Sequence, residues 1–411
     1  MWSRSIPRTE PPAAPTLRDP AVPGLEVLLG SGAAPLLAEI AAERGAELGP
    51  TITRRQVRYR PGRSVIVEFV VDLSDSGGSR RQILTVAGGL RDAPPSSHGH
   101  FDGVSYAWWW FPHDPYLPGL SVLADRDVLA DVLAQLGVAD PISFVRTRAY
   151  RASRRAVVEV HAGSRRVFLK IVDPERAREL HDLHRELIDD LPVPPSHGVA
   201  AAQGIVVLGA VAGVPLRGEV RDGRWDDWSA VADLADRFGS LDPTGRRAVS
   251  PPTRRLKTFR SLFEVIAPAG VEVVDALRAD PALTPRTEVT VHGDFHTGQL
   301  LIDATRPAPL GLVDLDTVGV GDPIVDRAAM LGQLAVLAST DGHYQAGLEA
   351  AYEVLGRVDE PHRLNTWTAA HVAGLATGPF RAQDTEWMAS TRARLELARR
   401  IHTSGVLAGP S

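Results

Sequence analysis

The sequence lacks cysteine, and this absence excludes disulfides, cysteine-ligated zinc and thiol catalysis. A cysteine-free chain fits a reducing compartment, and we expect a cytoplasmic protein. Lysine is almost absent too: Lys170 and Lys257 are the only two, so arginine carries nearly all of the positive charge. The sequence also lacks any apolar run of about 18 residues, so we predict no membrane span.

The overall composition is that of a globular enzyme. Of 411 residues, 44% are hydrophobic and 23% are charged, which predicts two or three domains with sizeable cores. The net charge of −5 gives no reason to expect nucleic acid or anionic lipid as a partner. Residues 1–23 are rich in proline and arginine and lack the apolar segment of a signal peptide, so we predict a flexible leader. No pattern indicates an oligomeric state.

The hydrophobic periodicity divides the rest of the chain into three parts. Residues 24–135 combine helical patterns with alternating, strand-like segments, and we interpret them as an N-terminal cap. A second set of strand-like segments fills residues 136–211, and the pattern from 212 to 411 is mainly helical. We therefore predict an α+β fold with a β-rich lobe, a helical lobe and an additional α+β cap.

The two strand-like sets resemble each other. Residues 59–68 match residues 150–159, and an arginine-rich hairpin follows each segment. On this match Thr85 stands where Lys170 stands in the second set. Two interpretations stay open: a duplicated β-lobe whose first copy lost its lysine, or two arginine-decorated hairpins that match by chance.

A loop between two short apolar strands carries the strongest catalytic pattern, HGDFHTGQ at residues 292–299. Phosphoryl transfer to an alcohol needs a carboxylate that orients the hydroxyl and takes its proton, and Asp294 is our candidate for this base. Mg²⁺ prefers carboxylate, amide and phosphate oxygens, and Gln299 offers a side-chain carbonyl five positions later. The alternative is a capped loop that contains His-Gly-Asp by chance.

An aspartate at the end of the next apolar strand is the second candidate. Asp314 can reach over the metal and bridge Mg²⁺ to the phosphates of ATP. Asp316 can be a second metal contact, a substrate contact or a loop cap. Asp322 and Asp326 are expected to be structural, because carboxylates near a helix start accept backbone N–H bonds.

Lys170 stands on an otherwise apolar strand, where a lysine is costly to bury without a partner. The phosphates of ATP would supply that partner, and a glutamate on the following helix would hold the ammonium group in place. Glu186 is our candidate for this glutamate, and Glu179 is its competitor. A lysine that extends from an edge strand into solvent is the alternative interpretation.

The order of these residues resembles the aminoglycoside phosphotransferase family, which shares the protein-kinase fold. The resemblance covers about residues 150–402 and implies two lobes with ATP in the cleft between them. It implies that Asp294 is the base, Asp314 the principal Mg²⁺ ligand, Lys170 the phosphate-binding lysine and Glu186 its partner. It also implies that the linker at 209–212 is the hinge. Its members Gly209, Ala210 and Val211 would then face adenine.

The chain departs from this family in two places. Gln299 stands where the family usually has asparagine, and the phosphate-covering loop, residues 150–155, has no glycine. Ser153 and the arginines of that loop (Arg151, Arg154 and Arg155) would have to bind the phosphates instead. The glutamine and the extra N-terminal cap resemble glucosamine kinases and maltokinases. This resemblance implies an ATP-dependent kinase of a small sugar, first glucosamine and alternatively maltose. An antibiotic kinase and a non-catalytic kinase-like protein are further alternatives.

The acceptor site is predicted near the C-terminus. Sugar sites combine an aromatic plate with polar groups, and an amino group needs a carboxylate. Trp387 supplies the plate, and the polar candidates are Asp384, Glu386, Asp316 and His296. The competing interpretation makes Trp387 the core anchor of a helix. Trp367 and His371 are similar candidates for which a core position is the favoured interpretation.

Overall fold

The computed structural model describes residues 17–90, 97–305 and 310–406. Of the predicted leader, residues 1–16 lie outside the described residues. The chain forms two compact units: the first takes its described residues from Met1–Trp108 and Pro379–Ala389, the second from Trp109–Gly378 and Ser390–Ser411. The first boundary therefore falls at Trp108, upstream of the cap boundary that we predicted at 135. None of the described helices is long and apolar enough to cross a membrane.

The first unit combines two short helices with a five-stranded sheet in the order β1-β2-β3-β5-β4. Alternate residues of β2 are fully buried, from Val65 to Leu73, because one face of the strand packs in the core. The turn between β2 and β3 contains Gly78, whose φ is +106°. The elements are α1 (Gly24–Leu29), α2 (Ala33–Ala42), β1 (Glu47–Arg60), β2 (Ser64–Asp75), β3 (Gly78–Gly88), β4 (Ser97–Phe101) and β5 (Val104–Trp110).

The second unit begins with a lobe built on another five-stranded sheet, in the order β6-β7-β8-β10-β9. The helix α4 begins at Pro174, and the Asp173 side chain caps it by accepting the Glu175 N–H at 3.0 Å. Its apolar residues, among them Leu180, pack against β10. The elements are α3 (Arg126–Gln135), β6 (Ile142–Arg151), β7 (Arg155–Ala162), β8 (Arg165–Ile171), α4 (Pro174–Leu187), β9 (Ser196–Ala200) and β10 (Ile205–Gly209).

The two sheets have the same strand order, which supports the duplication interpretation. The strand register corrects the residue match, however. In the second sheet Lys170 pairs with Val157, and in the first sheet the counterpart of Val157, Ile66, pairs with Ala87. Ala87, rather than Thr85, therefore occupies the position that corresponds to Lys170.

The rest of the second unit is mainly helical, as predicted, with α9 as its buried central helix. Two short strand pairings, β12 with β15 and β13 with β14, bring the loop that follows β12 next to the loop that follows β14. The elements are β11 (Val214–Pro215), α5 (Leu216–Arg221), α6 (Trp228–Gly239), α7 (Pro252–Ile266), α8 (Gly270–Ala279), β12 (Val289–Val291), β13 (Leu300–Ile302), β14 (Leu310–Leu312), β15 (Gly319–Gly321), α9 (Ile324–Thr340), α10 (Gln345–Leu355), α11 (Pro361–Leu375) and most of α13 (Trp387–Ser404). The short helix α12 (Gly378–Ala382), apart from its first residue, and the start of α13 fall in the segment Pro379–Ala389 of the first unit. The predicted α+β class, with a β-rich lobe and a helical lobe, is confirmed.

Candidate active site

The loop between β12 and β13 is anchored by a carboxylate at the start of α9. Asp326 is buried, and its two oxygens accept the backbone N–H groups of His292 and Gly293, each at 2.8 Å. Burial raises the pKa of the Asp326 carboxyl to about 7. Gly293 has a φ of +79°, and a Cβ there would lie 2.7 Å from the Thr317 carbonyl oxygen. The position therefore requires glycine.

Asp294 follows this anchored turn and remains accessible. Its side chain is 43% exposed, and the nearest imidazole nitrogen, Nε2 of His296, lies 3.9 Å from its Oδ2. Burial lowers the pKa of His296, so the neutral imidazole does not form an ion pair with Asp294. An accessible carboxylate on a rigidly held loop is what a general base requires.

The loop after β14 carries two carboxylates that meet two cations from the β-rich lobe. Lys170 Nζ lies 2.7 Å from Asp314 Oδ1 and 2.5 Å from Asp316 Oδ1. Arg155, at the start of β7, lies 3.2 Å from Asp314 and 2.7 Å from Asp316. The sequence patterns had suggested Arg155 only as one of three loop arginines. In the structure Arg155 contacts both aspartates, and Asp316 forms an ion pair with Lys170 as well.

The charges of this cluster outweigh the effect of its burial. Burial alone would raise the pKa of Asp314, but Lys170 and Arg155 hold that pKa well below its ordinary value. Burial would likewise lower the pKa of Arg155, but Asp314 and Asp316 hold it above its ordinary value, and Asp294 adds to this effect. Asp314 and Arg155 are therefore both charged near neutral pH, and Asp294 is near enough for Arg155 to experience its charge.

Asp314 and Gln299 approach each other, as a shared metal site requires. Gln299 Nε2 lies 3.4 Å from Asp314 Oδ2. The two loops are tied by the backbone, because the Val313 N–H donates to the Gln299 carbonyl oxygen at 2.9 Å. Asp314 itself has a φ of +65°, in the left-handed region where a non-glycine residue is strained. Such strain is often found at functional sites.

Glu186 is not the partner of Lys170 in this structure. Its side chain is 58% exposed and bonds to Arg246, while Lys170 bonds to the two aspartates. The reason is the orientation of α4, which turns His184 into the lobe and Glu186 towards solvent. Burial lowers the pKa of His184 to about 4, so a neutral imidazole occupies the inward face.

The glycine-free phosphate loop is held by an aspartate that the sequence patterns did not identify. Asp114 Oδ2 accepts the Ser153 N–H at 2.7 Å and the Tyr150 hydroxyl at 2.9 Å. Ser153 has a φ of +54°, which this contact helps to maintain. Asp114 is 3% exposed and lies 39 positions before Ser153, so sequence spacing gave no indication of the contact.

The predicted hinge connects the β-rich lobe with the helical lobe. The Gly209 N–H donates to the Pro195 carbonyl oxygen at 2.8 Å, and a Cβ on Gly209 would lie 2.8 Å from the Pro195 ring. Ala210 and Val211 then lead into β11. Their contact with adenine remains a prediction.

The acceptor residues predicted near the C-terminus belong to the first compact unit. Trp387 is 7% exposed, and its ring packs edge-on against Phe380 with 5.1 Å between the centroids. The Trp387 N–H donates to the Asp384 carbonyl oxygen at 3.0 Å, where α13 begins. Trp387 thus has the packing of a core anchor, and acceptor binding by Asp384, Glu386 or Trp387 remains a prediction.

A cavity of about 150 Å³ lies between α7, α9 and α11. Arg255, Phe259, Trp367 and His371 contribute to its wall. The charge of Asp294 acts on both Arg255 and His371, so the cavity is close to the catalytic loop. We had considered Trp367 and His371 as acceptor residues, but Arg255 had not been suggested, because an arginine on a helix is usually a surface residue.

Two solved structures share this fold. One is the GDP and kanamycin complex of APH(2")-IIia, which is 15% identical, covers 66% of this chain and 98% of its own, and has a TM-score of 0.50. The other is a thermostable mutant of aminoglycoside phosphotransferase APH(4)-Ia in ternary complex with AMP-PNP and hygromycin B. It is 14% identical, covers 68% of this chain and 100% of its own, and has a TM-score of 0.51.

Comparison with curated proteins finds no match. Residues 147–367, more than half of the chain, match the family described as APH, phosphotransferase enzyme family. This range contains Lys170, Asp294, Gln299 and Asp314, the residues whose order suggested a phosphotransferase. The chain therefore belongs to the phosphotransferase enzyme family.

Proposed function

We propose that this chain transfers the γ-phosphoryl group of ATP to a hydroxyl group of a small sugar. The observation that carries the proposal is the proximity of an accessible carboxylate, Asp294, to the ion-paired cluster of Lys170, Arg155 and Asp314. Phosphoryl transfer depends mainly on positioning and on charge stabilisation, and this arrangement supplies both.

Each residue has a distinct role in the proposed reaction. Asp294 orients the acceptor hydroxyl and accepts its proton as the oxygen attacks the γ-phosphorus. Lys170 and Arg155 now donate to Asp314 and Asp316, and both can turn their N–H groups to phosphate oxygens when the nucleotide binds. The backbone of the loop at Ser153 covers the phosphates, and Asp114 holds that loop in position.

The oxygen ligands in this cluster fit Mg²⁺. In nucleotide sites this ion is usually held by one or two carboxylates together with phosphates and water. Asp314 and Asp316 supply the carboxylates, and a half-turn of the Gln299 amide directs its carbonyl oxygen towards Asp314. Among the described residues, no group of three or more His, Cys, Asp or Glu side chains could hold a metal ion. When bound, Mg²⁺ neutralises charge on the phosphoryl oxygens.

Glucosamine is the first acceptor that we propose, with transfer to its 6-hydroxyl group. Gln299 and the additional N-terminal unit support this choice, because both features resemble glucosamine kinases. Maltose is the second candidate on the same resemblance. Kanamycin and hygromycin B, which are bound in the two structures of similar fold, complete the set of acceptors to compare.

The proposal is tested by Mg²⁺-dependent release of ADP from ATP with glucosamine, glucose, N-acetylglucosamine, maltose and kanamycin. We expect release with glucosamine, and we expect Asp294→Asn to lower kcat by about 10²–10⁴-fold, because the amide cannot accept the proton. The affinity for ATP should remain nearly unchanged, since Asp294 lies outside the phosphate-binding cluster.

Asp189→Asn is the matched control, because it makes the same chemical change at an exposed aspartate after α4. It should retain the kcat of the unmodified protein. Full activity of Asp294→Asn would show that the base is another residue. Release with maltose or kanamycin alone would retain the kinase and exclude glucosamine, and no release with any acceptor would contradict a sugar kinase.

A further inference from the structure

The cavity between α7, α9 and α11 has the size of a single ring. Its volume is about 150 Å³, close to that of an engineered protein cavity that holds one benzene molecule. Phe259 and Trp367 provide aromatic surface in the wall. Asp294 lies outside the wall but is near enough to affect the pKa of His371, which is part of it. The six-membered ring of a sugar matches this size, but a hexose has twice the non-hydrogen atoms of benzene, so its exocyclic groups must extend through the open side of the cavity.

The wall of this cavity contains a cation that lacks a bonded partner. The side chain of Arg255 is partly buried, yet it makes no hydrogen bond or ion pair with any of the described residues. Burial lowers its pKa, while Asp294 and Asp326 oppose that change from a distance. A guanidinium group has five N–H donors, and those of Arg255 reach solvent, so a ligand that enters the cavity can accept them in place of water.

A second polar group in the same wall has no bonded partner. Nε2 of His371 is buried and has no hydrogen-bond partner among the described residues. Burial lowers the pKa of His371 to about 4, so this imidazole is neutral near pH 7 and can donate or accept a hydrogen bond. None of the described residues that line the cavity is aspartate or glutamate. The wall therefore offers no anion to a protonated amine.

We infer that Arg255 determines acceptor specificity by binding a hydroxyl or carboxylate oxygen of the sugar and by repelling an ammonium group at that position. The inference rests on the proposed function, since it assigns the cavity to the acceptor of the phosphoryl group. The reacting hydroxyl lies at Asp294, and another oxygen of the same ring lies at Arg255. Acceptors that must place an ammonium group against Arg255, as a polycationic antibiotic would, are excluded.

Equilibrium binding separates this inference from the chemistry of transfer. Isothermal titration calorimetry would measure the Kd of glucuronate, glucose and glucosamine in the presence of Mg²⁺ and AMP-PNP. These three sugars share the same pyranose ring, to which glucuronate adds a negative charge at C6, glucose no charge and glucosamine a positive charge at C2. We expect glucosamine, the first acceptor proposed above, to bind with its ammonium group directed away from Arg255, and therefore less tightly than glucuronate or glucose. In Arg255→Glu the ratio of the glucosamine Kd to the glucuronate Kd should fall by about tenfold to a hundredfold, as expected for a charge-assisted hydrogen bond.

Two variants serve as controls. Arg255→Lys keeps the charge and should keep the order of the three dissociation constants, even if Arg255→Glu proves unstable. Arg254→Glu makes the same charge inversion at an exposed neighbour on α7 and should leave the order unchanged. If Arg255 only balances Asp294 and Asp326, its replacement changes the three constants by the same factor, and the inference is overturned.

The remaining outcomes also decide the matter. Tighter binding of glucosamine than of glucuronate by the unmodified protein overturns the inference, and so does the lack of saturable binding of all three hexoses. If the dissociation constants behave as expected but no hexose supports ADP release, the sugar-kinase proposal fails while the charge preference of the cavity stands. If a hexose supports ADP release but the ratio of the glucosamine Kd to the glucuronate Kd is unchanged in Arg255→Glu, the sugar-kinase proposal stands and the inference about Arg255 fails.

Discussion

Asp326 anchors the catalytic loop without belonging to the reacting groups, so its removal tests how far catalysis depends on the position of that loop. Asp326→Ala leaves the N–H groups of His292 and Gly293, now at 2.8 Å from the carboxylate, without acceptors. Each buried, unsatisfied N–H costs about 1–3 kcal/mol, so the free energy of unfolding should fall by about 2–6 kcal/mol. Asp326→Asn retains one acceptor oxygen and should lose about half as much.

Turnover should fall with stability, because the anchored turn positions Asp294. A displacement of about 1 Å is enough to lower kcat by about a hundredfold. Urea unfolding gives the free energies, and ADP release at a temperature where the variants remain folded gives kcat. Asp227→Asn is the control, since Asp227 also accepts a backbone N–H but does so at the exposed start of α6. Stability within about 0.5 kcal/mol and normal turnover in Asp326→Ala would refute the argument.

The same carboxylate predicts a pH dependence of stability. Its pKa rises from 3.8 to about 7 on folding because of burial, so the folded state holds a proton that the unfolded state releases between these values. The contribution of the protonated form is present below pH 4 or so and is lost as the pH rises to about 7. At about 1.4 kcal/mol per pKa unit, the loss approaches about 4 kcal/mol. Asp326→Asn does not titrate, so the advantage of the unmodified protein over it should shrink across this range. A constant difference would show that the carboxylate stays ionised.

Two further variants test the nucleotide site. Lys170→Ala should weaken binding of AMP-PNP with Mg²⁺ by about tenfold or more, because a charge-assisted bond to phosphate is lost. Calorimetry measures this, with Lys257→Ala as the control on α7, and equal affinities would contradict the role of Lys170. Asp114→Ala should raise the KM for ATP by about tenfold and leave the acceptor KM nearly unchanged, because the Ser153 N–H loses its acceptor and the phosphate loop shifts. An unchanged KM for ATP would show that the loop keeps its position without Asp114.

The residues that could be predicted from sequence lie in short patterns in which local structure and chemistry coincide. The His-Gly-Asp turn requires a glycine with positive φ, and Asp294 follows it directly. Asp314 lies two residues after the buried strand β14, so its position and its charge are both visible in the sequence. Lys170 was recognisable because a lysine on an apolar strand needs a partner, and the structure provides two aspartates.

The error concerning Glu186 came from ignoring the helical period. On α4 the inward face is marked by Leu180 and Leu187, which are buried. A position four residues after Leu180 lies about 40° from it on the same face, whereas a position six residues after it lies about 120° away. The period of 3.6 residues therefore predicts His184 inside and Glu186 outside, as the structure has them.

Other contacts could not be predicted because their partners are distant in sequence. Asp114 followed a proline-rich aromatic segment and resembled an ordinary turn residue, and only the folded chain brings it to the Ser153 N–H. Arg255 could not be identified from sequence for a different reason. An arginine on a helix usually binds water or a carboxylate at the surface, and only the structure shows that this one lies in a cavity wall.

The two sheets of identical order distinguish what folding requires from what the site requires. Glu68 and Glu159 occupy matching positions, both are 2% exposed, and each is paired with arginine, Glu68 with Arg55 at 3.2 Å and Glu159 with Arg166 at 2.7 Å. Because this buried glutamate–arginine pair occurs both in the sheet with a lysine and in the sheet without one, it serves the folding of the sheet. Only the second sheet has a lysine, whereas the first has Ala87 at the corresponding position. The difference between the sheets therefore supports a functional role for Lys170, because the corresponding strand of the first sheet forms with alanine at this position.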